Sequence, residues 1–199
     1  MVDERWDPFF EDLEQQFAAE REAAAGELAG EAERLRIARL ALRDRIAAVG
    51  AGATLALDDI GGEGHELRLE AVGADWVAGT SSAPRGMTIL RAGAIAQARF
   101  APADRARSLE AAPDDPLLRR MTFGFVLRAL ARRRAPLALG LASGRRASGT
   151  ASLVGGDHLD LAVHDADLAP RAADVRETRT IAFDAIAWVR TSRRDVGVF

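Results

Sequence analysis

The chain has 199 residues, with 27 basic against 30 acidic side chains, a formal net charge of −3, and 48% hydrophobic and 29% charged residues. Cys and Tyr are absent, Lys and Asn do not occur in the sequence either, and all 27 basic residues are therefore Arg. Those absences exclude disulfides, thiolate nucleophiles or metal ligands, Schiff-base chemistry and a P-loop lysine. Their joint loss, beside 42 Ala, points to a GC-rich genome, so richness in Arg is not by itself a phosphate-binding signal.

What remains is the composition of a soluble chain able to build one or two small cores. Residues 1–12 are acidic, with Trp6, Phe9 and Phe10 interspersed, and they lack the basic start and apolar stretch of a secretory signal. No apolar run nears the roughly 20 residues that cross a bilayer. A cytoplasmic protein with no membrane contact is the expectation.

Residues 1–50 read as one long amphipathic helix. Asp7-Pro8 supplies an N-cap and a proline at the first helical position, and strong helix formers run from Phe9 to Val49. Leu28, Leu35, Leu42 and Val49 recur every seven residues, the seam of a helix that pairs with a second copy or another protein. Gly26 and Gly30 predict a bend or split near 26–30, and Gly50-Ala51-Gly52 ends the helix. Residues 1–33 hold eleven acids against two Arg, whereas 34–45 hold five Arg and only Asp44. That polarity suits the helix dipole; it also suits an acidic arm for a basic partner, or antiparallel pairing. Trp6 reads as a partner anchor or as a staple on the helix.

Residues 51–100 and 117–199 then read as two copies of one small unit, separated by a polar linker at 101–116. Val72-Gly73-Ala74-Asp75-Trp76-Val77 lines up with Val154-Gly155-Gly156-Asp157-His158-Leu159, and residues 90–99 line up with 181–190. Strands are predicted near 53–57, 66–72, 75–80, 87–91 and 95–99, and again near 136–142, 146–154, 157–164, 177–183 and 187–191. A helix near 117–134, with Leu118, Met121 and Phe125 at helical spacing and Asp115 as its N-cap, leads into the second set. Five strands in about 50 residues bury little as an open sheet, so each set is expected to close into a small barrel. The fold class is α+β, mainly β: a long helix followed by two tandem five-stranded barrels.

These elements resemble the Sm-like barrel. Residues 144–150 followed by 154–161 look like its first motif, and residues 89–95 look like its second. The resemblance implies base or partner contacts at Asp75, Trp76, Arg91, Asp157 and His158. The Asn positions of an Sm-type RNA pocket hold Ala78 and Asp160, and Arg91 is followed by Ala92. The layout as a whole is also similar to an uncharacterised actinobacterial family often labelled as transcriptional regulators. The shared stretches are Phe10 to Glu14, Leu35 to Arg45 and Phe125 to Arg133. No second helix stands at turn distance to make a helix-turn-helix.

Chemistry is sparse. His158 and His164 share a strand face about 20 Å apart, too far to hold one ion, and His65 sits in a glycine-rich hairpin tip. No Ser, His and acid form a recognisable signature. No enzyme, cofactor, metal or small-molecule substrate is expected. Arg132, Arg133 and Arg134 close a predicted helix, which suits its dipole. With Arg128, Arg145 and Arg146 they could instead contact phosphates. The expected function is a non-catalytic adaptor that docks itself or a partner through the helix, with nucleic-acid binding through residues 105–146 as the alternative.

Overall fold

A computed structural model of the chain describes residues 7–82, 85–113, 115–164 and 177–192, with side chains from residue 14 onward and not at 82–85. Trp6 and the side chain of Phe10 lie outside the described residues. The chain divides into two units, Met1–Ala41 and Leu42–Phe199.

The first unit is a single helix, α1 (Asp7–Ala38). It runs unbroken through Gly26 and Gly30 and ends at Ala38, with three residues between it and Leu42, where α2 (Leu42–Val49) begins. The seam is therefore divided. Leu28 and Leu35 lie on α1, 72% and 52% exposed, whereas Val49 is buried and Leu42 packs beside it in a core. Arg39-Leu40-Ala41 contains no helix breaker; burial of Ile46, Ala48 and Val49 places α2, and packing outranks local propensity.

The second unit is built on one antiparallel sheet. Its strands are β1 (Thr54–Asp59), β2 (Gly64–Val72), β3 (Trp76–Ser82), β4 (Arg85–Arg91) and β5 (Ile95–Arg99), then β6 (Pro136–Leu141), β7 (Arg146–Val154), β8 (His158–Val163), β9 (Glu177–Ala182) and β10 (Ile186–Thr191). They stand within a few residues of where alternation and glycine turns predict them. Their order is β5-β1-β2-β3-β4-β10-β6-β7-β8-β9, so the two halves have the same internal order.

The strands do not close into two separate barrels: they form one continuous sheet that is not closed, because β4 pairs with β10. Met87, Thr88, Ile89 and Leu90 face Thr191, Arg190, Val189 and Trp188 in turn. Both strands are covered on both faces at residues 87–90 and 186–189, which is why β10 carries a continuous apolar run rather than alternation. Met87 and Ile89 enter one core with Trp76, Phe123, Val126, Leu127, Leu159 and Val189. Leu90 enters the other with Ile46, Val49, Leu55, Leu67 and Trp188. Each core thus takes side chains from both halves.

The stretch between the halves is more ordered than a polar linker. It holds α3 (Pro102–Arg107) and a short turn of helix at Leu118–Arg120, whose Leu117 and Leu118 N–H groups are capped by Asp115. The main helix, α4 (Phe123–Arg132), starts later than expected, with Thr122 as its N-cap. Its buried face is Phe123, Val126, Leu127 and Leu130, while Phe125 is 41% exposed. No helix among the described residues is long and apolar enough to cross a membrane.

Candidate functional site

The β4–β10 pairing brings two hairpin turns together, that of β1–β2 (residues 60–63) and that of β6–β7 (residues 142–145). They meet so closely that a Cβ on Gly61 would stand 2.8 Å from the Leu141 carbonyl oxygen. Between them is a cleft of about 410 Å³, lined among others by Asp59, Glu63, Arg145, Arg146 and Trp188. A neighbouring cleft of about 420 Å³ shares Arg145 and Arg146 and adds Arg179 and Thr180.

Under the first turn lies a buried, hydrogen-bonded Asp59–His65 pair that a hairpin tip would not contain. His65 Nε2 donates to Asp59 Oδ2 at 2.8 Å, and both side chains are 1% exposed. Asp59 Oδ1 accepts the backbone N–H groups of Gly61 at 2.7 Å and Glu63 at 3.2 Å. Three donors therefore satisfy the carboxyl group, as burial of a polar side chain requires. The His65 ring stands edge-on to Trp188, with centroids 5.9 Å apart. The pair acts as a strut that fixes the turn and props the indole. The sequence signal was present: the histidine is the first residue after Gly64, on the inward phase of a strand burying alternate residues.

Trp188 organises the rest. Its ring rests against Gly140, where an added Cβ would come within 2.1 Å of it, and Arg190 stacks over it at 4.4 Å. Glu63 reaches across to Arg146 at 2.9 Å and Arg190 at 3.6 Å. Arg145 makes no ion pair among the described residues. The cleft's chemistry is ionic and planar, with guanidinium groups over one indole. Among the described residues no group of three or more His, Asp or Glu is placed to hold a metal.

The other predicted residues divide sharply. Asp75, Trp76 and Arg91 all bind the second half of the chain; Trp76 is fully buried there, whereas Asp75 keeps an exposed side. Asp75 Oδ1 accepts the Phe123 N–H at 2.6 Å, and Trp76 Nε1 donates to the Met121 carbonyl at 2.8 Å. Arg91 donates to the carbonyls of Ile186 and Asp184 and pairs with the Asp184 carboxylate at 3.1 Å. Asp157 and His158, on the corresponding turn of the second half, stay in solvent, with side chains 93% and 41% exposed. Their mutual hydrogen bond holds the Asp157 carboxyl below its ordinary value. His164 is buried and hydrogen-bonded to Thr150 Oγ1 at 2.8 Å.

The six arginines expected to form one phosphate patch are separated. Arg132, Arg133 and Arg134 sit before β6, and Arg145 and Arg146 sit past its far end, about 17 Å away along an extended strand. Arg128 is occupied with the Gly155 carbonyl at 3.2 Å.

Comparison with protein-family models, with curated proteins and with solved structures finds no match.

Replacing Asp59 with Ala strands a buried imidazole and two turn N–H groups. It should cost about 3 kcal/mol of stability in urea unfolding, while Asp59→Asn, which keeps the shape, should cost less. A loss below about 0.5 kcal/mol for the Ala variant would show that the strut carries no weight.

Proposed function

We propose that the protein is a non-catalytic scaffold that assembles through α1 and carries a body of two Sm-like halves. One observation carries this reading. From Glu14 to Ala38 every side chain of α1 except Gly30 is exposed, including Phe17 at 57%, Leu28 at 72%, Leu35 at 52% and Ile37 at 41%. A helix draws most of its stability from packing of an apolar face. Phe17, Leu28 and Leu35 fall along one face, and large apolar residues aligned in water mark a surface made to be covered.

The Sm-like reading of the body is supported by its repeated strand order and by matching irregularities. The β2–β3 ladder shifts between Leu69 and Ala71, and the β7–β8 ladder shifts between Ala151 and Leu153, at corresponding points of the two halves. Such bulges bend a strand and increase its twist, as a small curled sheet needs. In both halves a ring packs over the turn glycine, Trp76 over Gly73 and His158 over Gly155.

Sedimentation velocity tests the scaffold reading. The full chain should self-associate as concentration rises, and Leu28→Glu with Leu35→Glu should return it to monomer with the melting of the sheet unchanged. Both positions are exposed, so the substitutions leave the fold intact. A parent chain that stays monomeric throughout would sink this reading.

Nucleic-acid binding is the second reading, and the convergence of Arg145, Arg146 and Arg179 on one cleft favours it. Glu63 and Glu177 already neutralise two of the three, which is why it ranks second. Titration with single-stranded RNA and with duplex DNA should then give affinities that fall steeply with salt. No binding at low salt removes this reading.

A further inference from the structure

We infer that α1 pairs with α1 of a second copy in antiparallel orientation, in one register that sets Phe17 of each chain against Leu35 of the other. This rests on the reading of α1 as the self-association element and adds its direction and alignment.

One stripe of the helix carries the pairing. Steps of three and four residues select Glu14, Phe17, Arg21, Ala24, Leu28, Glu31, Leu35 and Ala38, which lie along one face of α1. Every one of these side chains is exposed. The face is not uniformly apolar, and its charges decide between orientations. In a parallel, in-register pair Glu14 meets Glu14, Arg21 meets Arg21 and Glu31 meets Glu31. Three like-charge layers would oppose that pairing.

Reversing one helix about a centre between Ala24 and Leu28 removes those conflicts. Phe17 then faces Leu35 of the second copy, Arg21 faces Glu31, and Ala24 faces Leu28, each contact made twice. A small residue meets a large one, and the charge on each chain meets its opposite. Glu14 falls opposite Ala38. Beside the seam Glu20 comes alongside Arg34; only Glu27 lies near its own copy.

None of Glu20, Arg21, Glu31 and Arg34 makes an ion pair among the described residues, whereas Arg36 is already held by Glu33 at 2.7 Å. That contact raises the Arg36 guanidinium and lowers the Glu33 carboxyl from their ordinary values. The charges the seam needs are the free ones. Ion pairs inside a helical seam contribute little net stability, but they penalise every other register. Gly26 and Gly30 fall outside the stripe, with open space where a Cβ would stand, so neither obstructs the pairing.

The chain contains no Cys, so single introduced thiols report the geometry directly. Phe17→Cys and Leu35→Cys variants, mixed and oxidised, should give a disulfide-linked dimer, while neither variant alone should cross-link. In the antiparallel pair the two Phe17 positions stand about 27 Å apart along the axis, far beyond the ~7 Å Cα separation a disulfide spans. Cross-linking of either variant alone would show a parallel pair, overturning the orientation and leaving self-association standing. A chain that sediments as an oligomer yet cross-links in no combination overturns the helix as its interface; a monomer overturns both readings. Because those thiols remove seam residues, a charge exchange provides a second check. Arg21→Glu alone should weaken association at least about tenfold, and Arg21→Glu with Glu31→Arg should restore it. No restoration would also overturn the register.

Discussion

The pairing of β4 with β10 is the interaction on which the folded body depends. Without it, each half would expose an edge strand with unpaired N–H and C=O groups and a row of large apolar side chains. With it, the two strands become the centre of a ten-stranded sheet. Trp188, 2% exposed, is the largest side chain on these two strands: burying an indole removes roughly 200 Å² from water, about 5 kcal/mol of driving force. Because residues of both strands enter both cores, neither core is complete without the other half. The two halves fold as one object.

That single joint explains where the polar chemistry lies. It brings two glycine turns into contact and so creates the cleft around Glu63, Arg145 and Arg146. It also uses up Asp75, Trp76 and Arg91, which hold the start of α4 and the turn before β10. On the corresponding turn of the second half, Asp157 and His158 are hydrogen-bonded to each other, with side chains 93% and 41% exposed. Residues at matching positions thus take different partners: Asp75 and Trp76 bind the segment before α4, whereas Asp157 and His158 bind each other.

Local signals in the sequence revealed the ten strands and the α+β class, because alternation and glycine turns act over a few residues. The sideways pairing was harder to see. It joins residues 87–90 to 188–191, and no short-range pattern encodes such a contact. Its trace was the continuous run Ile186-Ala187-Trp188-Val189, the sign of a strand covered on both faces. The end of α1 at Ala38 was hidden for a similar reason. Leu42 and Val49 continue the seven-residue spacing of Leu28 and Leu35, but they serve the core rather than the exposed stripe. The buried Asp59–His65 pair was obscured by the glycines around it, which suggested an open tip.

The chain therefore divides its work between a sheet that completes itself and a helix that does not. Hydrogen exchange on the full chain, followed across protein concentration, tests that division most directly. The amides of β4 and β10 should be among the slowest to exchange at every concentration. Those of α1 between residues 14 and 38 should exchange fast when dilute and gain protection as copies associate. Protection of α1 that is already complete in the most dilute sample, or β4 and β10 amides exchanging ahead of the outer strands, would contradict it.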